Sequence, residues 1–155
     1  MALPLFGERR PRQFLLTPSR ESEPAFSPDG RWIAYRSDES GRLEIYVTPY
    51  PGPGGRWQIS TQGGTEAVWA RDGRELFYRS GDKMMSVAVD AGREFRAGTP
   101  QLLFEGRYHD TYDVAPDGQR FLMIAESERD LGETQLQVVL GWFGDLRRRV
   151  PSGKS

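Results

Sequence analysis

A four-residue sequence that ends in Asp-Gly occurs three times along this chain. The copies read Ser-Pro-Asp-Gly at 27–30, Ala-Arg-Asp-Gly at 70–73 and Ala-Pro-Asp-Gly at 115–118, so successive copies begin 43 and 45 residues apart. Each copy is followed within three residues by a short apolar run. A tight turn and a short strand that recur at such an interval indicate a repeat protein, in which each unit packs against its neighbours.

The second copy shows most clearly how one repeat divides into strands. The Asp-Gly pair predicts a type I turn in which glycine takes a positive φ and the aspartate side chain accepts backbone amide hydrogens. A further turn at 80–82 and a loop at 90–100 separate the remaining apolar runs. Four short antiparallel strands in 40–50 residues are typical of one blade of a β-propeller. The predicted strands are 66–69, 75–79, 84–89 and 101–104.

The apolar pattern of the second strand in each repeat supports this fold. Residues 32–35 read Trp-Ile-Ala-Tyr, which places apolar side chains on both faces of the strand. A sheet that is apolar on both faces must be covered on both faces, as a blade is by its two neighbours. The outer strand at 56–60 alternates apolar and polar residues, which is typical of a solvated rim. The predicted fold is therefore all-β, with about three four-stranded antiparallel blades.

The two ends of the chain complement each other. Residues 12–17 align with the outer strand of the first repeat, whereas the third repeat lacks a fourth strand. Propellers close their rings by exchanging such strands between the two ends of the chain. Either the chain is the tail of a longer protein, or it forms half of a six-bladed ring as a homodimer in which each N-terminal strand completes the partner's last blade. The single propeller segment 1–155 divides into an outer strand (12–17), blade 1 (23–62), blade 2 (66–105), an incomplete blade 3 (111–143) and a basic tail (144–155).

Residues 23–35, Glu-Pro-Ala-Phe-Ser-Pro-Asp-Gly-Arg-Trp-Ile-Ala-Tyr, closely resemble the TolB-like, WD40-like propeller repeats with a Ser-Pro-Asp-Gly turn. The stretches 44–60, 69–78 and 138–143 are similar to the propeller tails that follow the kinase domain in many bacterial serine/threonine protein kinases. The resemblance covers about residues 12–150. It implies a platform that binds a protein or a peptide, as the sensor or scaffold tail of a bacterial signalling kinase.

No residue pattern in the chain predicts catalysis. A glycine-rich phosphate loop followed by a strand lysine, His-Arg-Asp and Asp-Phe-Gly are all missing, so the kinase motifs are absent. His109 is the only histidine, and no serine lies in a Gly-x-Ser-x-Gly sequence that could pair with it. The three turn aspartates differ from a sialidase Asp-box, which needs a residue between Asp and Gly. We therefore expect a non-enzyme with no catalytic residues and no cofactor.

Acidic residues recur on the first strand of the repeats. Glu23 and Glu66 occupy the same position, and Asp110 and Asp113 lie close to that position in the third copy. Because the first strand of a propeller blade lines the central channel, these side chains are expected near the mouth of the channel.

Two interpretations of these carboxylates stay open. They can form a hydrated acidic ring or salt bridges to Arg74 or Arg31, or they can hold a cation, since hard cations prefer clustered carboxylate oxygens. The candidate ligands for an ion are Glu23, Glu66 and Asp113, although no metal site is expected as the main interpretation. The alternative function that follows is a propeller-type hydrolase or lyase, or an ion-binding accessory domain, that uses these channel carboxylates.

Charge and hydrophobicity exclude other classes of partner. The net charge of −1 offers no general attraction for nucleic acid, and the arginines at 147–149 are interpreted as a solvated helix end. No apolar stretch approaches the roughly 20 residues of a membrane span. The apolar opening at 1–6 is shorter than a signal peptide and lacks a basic leader. The sequence predicts a soluble protein, cytoplasmic or, as part of a longer protein, extracytoplasmic.

Overall fold

The structure, a computed structural model, describes residues 17–125 together with Ala2, Arg10 and Phe14, and the backbone of a strand at 136–139. This part of the chain contains β-strands and no α-helix. Among these residues no helix is therefore available to cross a membrane. Of the N-terminal strand predicted at 12–17, Phe14 and Thr17 are described and neither lies in a strand. The rest of that strand and the basic tail at 144–155 lie outside the described residues.

The strands of the described residues form three antiparallel sheets in chain order, which confirms the predicted all-β fold of propeller blades. Blade 1 consists of β1 (Glu21–Phe26), β2 (Trp32–Ser37), β3 (Glu44–Pro49) and β4 (Trp57–Gln58), paired in that order. Blade 2 consists of β5 (Thr65–Trp69), β6 (Glu75–Ser80) and β7 (Lys83–Ala91), with β8 (Phe95–Ala97) and β9 (Gln101–Glu105) both paired to β7. Blade 3 consists of β10 (Tyr108–Val114), β11 (Phe121–Ala125) and β12 (Leu136–Val139).

The Asp-Gly turns adopt the predicted conformation. The glycines have φ values of 70°, 70° and 67°, and each glycine amide donates to the carbonyl three residues earlier at 2.8–2.9 Å. In each turn one oxygen of the aspartate accepts the amide two residues later at 3.0 Å. These aspartates therefore have a structural role, because they stabilise the turns that fix the register of the two connected strands. They are Asp29, Asp72 and Asp117.

The segment between the third and fourth strands of blade 2 differs from the prediction. The loop expected at 90–100 is a hairpin, because β7 continues to Ala91 and pairs with β8. Asp90 stabilises the turn by accepting the amide of Gly92 at 3.1 Å. Phe95 is 3% exposed, and burial of this ring between blades 1 and 2 holds the extra strand in place.

Blades 1 and 2 are joined by reciprocal indole hydrogen bonds. Trp32 of blade 1 donates from Nε1 to the carbonyl of Ala91 in blade 2 at 3.1 Å. Trp69 of blade 2 donates from Nε1 to the carbonyl of Ala25 in blade 1, also at 3.1 Å. Both indoles are buried against Phe95, so each contributes apolar contact and satisfies its polar atom.

Blade 2 is covered on both faces, as its sequence predicts. Leu76 and Tyr78 of β6 belong to the core shared with blade 1, whereas Phe77 between them belongs to the core shared with blade 3. The ring of Phe77 meets that of Phe121 edge-on, with centroids 5.0 Å apart. Alternation along one strand thus builds two interfaces.

Candidate functional site at the inner strands

The first strand of each blade is interrupted by an irregularity at the same place. The pairing register shifts between Ser22 and Ala25 in β1 and between Thr65 and Val68 in β5, and β10 shows a corresponding shift. Glu23 and Glu66 lie in these irregularities with φ values of 53° and 54°. Glutamate rarely adopts this left-handed conformation, and such bulges redirect side chains near functional sites. The repeat therefore imposes the same strained backbone on both glutamates.

The structure brings these two residues together at the junction of the blades. The amide of Glu66 donates to Oε2 of Glu23 at 2.9 Å. The hydroxyl of Tyr112 in blade 3 donates to the carbonyl of Glu66 at 2.6 Å. Glu66 is thus hydrogen-bonded to blade 1 through its amide and to blade 3 through its carbonyl.

The same arginine position serves the two glutamates differently. In blade 1, Arg36 pairs with Oε1 of Glu23 at 2.8 Å. Its counterpart in blade 2, Arg79, is 4% exposed and donates to the carbonyls of Gly81 at 2.9 Å and His109 at 3.4 Å. Blade 3 thus provides an alternative acceptor for Arg79. Oε2 of Glu66 is buried and has no hydrogen-bond partner among the described residues.

The surroundings of Glu66 change its acidity. Burial raises the pKa of Glu66 to about 7, and the negative charges of Asp110 and Glu23 act in the same direction, against the opposing charges of Arg79 and Arg36. Burial and the charge of Glu66 also raise the pKa of Tyr112 well above its usual range. Glu66 therefore exchanges its proton near neutral pH, where an exposed glutamate would be fully ionised.

The arginines and the third carboxylate that the sequence placed with Glu23 and Glu66 make other contacts in the structure. Arg31 pairs with Asp29 at 2.6 Å, which excludes the alternative of a salt bridge between Arg31 and a glutamate. The ion pairs of residues 17–125 include none between Arg74 and Glu23 or Glu66. Asp113 is exposed and accepts the amide of Val114 at 2.8 Å.

Two further observations complete the site. Among the residues that the structure describes, no three acidic or histidine side chains lie close enough to hold a metal ion. His109 is exposed on β10 and contributes through its carbonyl. The sequence places Asp110 beside the cluster but does not reveal that its charge acts on Glu66, because that depends on how blade 3 packs on blade 2.

Replacing Glu66 with glutamine is expected to stabilise the protein above pH 7. Between pH 4.5 and about 7 the folded chain keeps a proton that the unfolded chain has lost, so its stability falls as pH rises through this window. The raised pKa of Glu66 is expected to lower the free energy of unfolding by about 1–2 kcal/mol at pH 8, after allowance for the partial exposure of its carboxylate. Urea unfolding of wild type and Glu66→Gln at several pH values measures this difference in the free energy of unfolding. Equal pH dependence of the two proteins would contradict the prediction, and Glu94→Gln at an exposed carboxylate is the matched control.

Comparison with one solved propeller structure supports the fold. A structure of a candidate 6-phosphogluconolactonase from Bacteroides uniformis, itself a propeller, matches with a TM-score of 0.50 and 18% identity over 81% of this chain and 42% of that one. TolB from Acinetobacter baumannii matches with a TM-score of 0.43 and 16% identity over 84% of this chain and 43% of that one. The chain thus spans about two fifths of these structures. No protein-family model and no curated protein matches the sequence.

Proposed function

We propose that this propeller segment is a non-catalytic module that binds a protein or a peptide through the inner ends of its blades. Three blades with shared cores and cross-blade hydrogen bonds form a rigid support, on which a binding surface costs little ordering on association. The resemblance of residues 44–60 and 69–78 to kinase tails supports a place in a bacterial signalling kinase. Sequencing upstream of the Met1 codon tests that assignment, since an in-frame domain of another class would overturn it.

The observation that carries the proposal is the unpartnered carboxylate oxygen of Glu66. Oε2 is buried beside Glu23, while Arg79 is engaged by carbonyl groups. A carboxylate without a partner is costly, and a cation brought by a ligand would remove that cost. A lysine or arginine side chain or an N-terminal amine of a peptide carries this charge.

Selection of random displayed peptides on the immobilised chain tests this function. We expect the bound peptides to be enriched in basic residues and Glu66→Gln to weaken their binding by about tenfold, the value of a lost charge pair of about 1.4 kcal/mol. Fluorescence anisotropy of labelled peptides measures the affinity, and Glu94→Gln should leave it unchanged. Failure to select any peptide, or equal affinity for wild type and Glu66→Gln, would overturn the proposal.

A further inference from the structure

The last described blade has a face that its repeat equivalents bury. Ala34 in β2 and Phe77 in β6 are both 0% exposed because the following blade covers each of them. Their counterpart in β11 is Leu122, which follows at the same spacing of 43 and 45 residues. Leu122 is 40% exposed. The face of blade 3 that carries Leu122, here called the trailing face, therefore lacks the cover that the repeat pattern specifies.

The opposite end of the stack has the matching face. Ile33 and Tyr35 of blade 1 correspond to Leu76 and Tyr78 of blade 2, which pack on blade 1. Ile33 and Tyr35 form a separate cluster with Tyr46, outside the core between blades 1 and 2. This cluster defines the leading face of blade 1, the face on which a preceding blade would pack.

The leading face is incompletely covered. A cavity of about 260 Å³ is lined by Ile33, Tyr35 and Phe26, and Phe26 is 54% exposed. Tyr35 itself is only 2% exposed, so the opening of this face lies at Phe26. An exposed aromatic ring beside a cavity indicates a surface whose full complement is missing.

Phe14 shows how a blade would enter this place. Its ring lies on the leading face, with its centroid 5.2 Å from that of Tyr50. Trp57 on the outer strand of blade 1 contacts Phe95 of blade 2 in the same way, at 5.4 Å. Phe14 thus occupies the position of an outer-strand residue that belongs to a blade preceding blade 1.

We propose that the leading face of blade 1 binds the trailing face of blade 3 in a second copy of this chain. The two contacts already present between blades join a leading face to a trailing face, and the proposed contact continues the same packing with the same repeat positions. Each chain has one face of each kind, so two chains bury all four and close a six-bladed ring. The inference goes beyond peptide binding, because its partner is the chain itself.

Light scattering on a size-exclusion column tests the assembly. The wild-type chain is expected at twice its mass of 17.6 kDa. Leu122→Asp and Phe26→Asp place a charge in either face at an already exposed position and should each elute as a folded monomer, with strand content verified by circular dichroism. Leu43→Asp is the matched control, since Leu43 is 37% exposed and lies on neither face, and it should remain a dimer.

Mixing the two monomeric variants distinguishes this closure from other dimers. A pair made of one Leu122→Asp chain and one Phe26→Asp chain keeps one wild-type contact between leading and trailing faces, so the mixture should regain dimer mass. A wild-type monomer at all concentrations would overturn the proposal and assign the faces to other blades of a longer protein. A mass above the dimer, a dimer insensitive to both substitutions, or no recovery on mixing would also overturn it.

Discussion

Replacement of Trp32 with alanine is expected to lower the free energy of unfolding by about 3–5 kcal/mol, the cost of truncating a buried large aromatic residue. The indole is 5% exposed and contacts the rings of Trp57 and Phe95 at centroid distances of 5.5 and 5.2 Å. Its Nε1 also donates to the carbonyl of Ala91 across the blades. The substitution therefore opens a cavity between two blades and leaves that carbonyl without its indole donor.

Urea unfolding followed by circular dichroism measures this effect. Trp32→Phe keeps a ring in the cavity but loses the indole hydrogen bond, so it should cost distinctly less than the alanine variant. Leu43→Ala is a surface control that should stay within about 0.5 kcal/mol of wild type. A loss below about 1 kcal/mol for Trp32→Ala would contradict the view that this indole holds blades 1 and 2 together.

The second large effect is expected at Glu44, whose replacement with alanine should cost about 2–4 kcal/mol because it strands buried polar partners. Glu44 is 0% exposed. Its Oε1 accepts from Arg42 at 2.6 Å and from the amide of Gly63 at 3.0 Å, and the hydroxyl of Ser60 donates to its Oε2. This network attaches β3 to the segment that leads from blade 1 into blade 2.

Two variants separate this network from an ordinary charge pair. Glu44→Gln keeps the shape of the side chain and one oxygen acceptor, so it should cost less than Glu44→Ala. Glu39→Ala removes an ion pair with Arg56, whose side chain is 42% exposed, and should cost at most about 1 kcal/mol. Chemical denaturation at constant pH gives the comparison. Equal losses for Glu44→Ala and Glu39→Ala would show that burial of Glu44 adds nothing.

The surroundings of this network explain why glycine stands at position 64. A side chain there would bring its Cβ into collision with Oγ of Ser60 and to 2.8 Å from Cγ1 of Ile45. The amide of Gly64 also donates to the carbonyl of Leu43 at 3.0 Å. The backbone therefore passes close against β3 at the point where the chain enters blade 2, and Glu44 completes that attachment.

Features that depend on neighbouring residues were predictable from the sequence. The Asp-Gly turns close within four residues, and the alternation of apolar side chains in β2 and β6 reports the faces of the sheet directly. The hairpin of β7 and β8 was missed, because Phe95 is anchored by Trp32 and Trp57, about 40 to 60 residues earlier in the chain. No local pattern distinguishes such an anchored strand from a loop.

The sequence likewise predicts some features of the candidate site, whereas others depend on the packing of the blades. The repeat places Glu23 and Glu66 at one position and Arg36 and Arg79 at another, and this equivalence is readable from spacing alone. Of these two equivalent pairs of positions, only the one in blade 1 carries an ion pair among the described residues, that of Arg36 with Glu23. Arg79 donates to the carbonyl of His109 in the following blade, whereas Arg36 pairs with Glu23 of its own blade. The repeated architecture thus follows from local turns and alternation, whereas the carboxylate oxygen of Glu66 lacks a hydrogen-bond partner among the described residues because Arg79 donates to carbonyl groups, one of which belongs to blade 3.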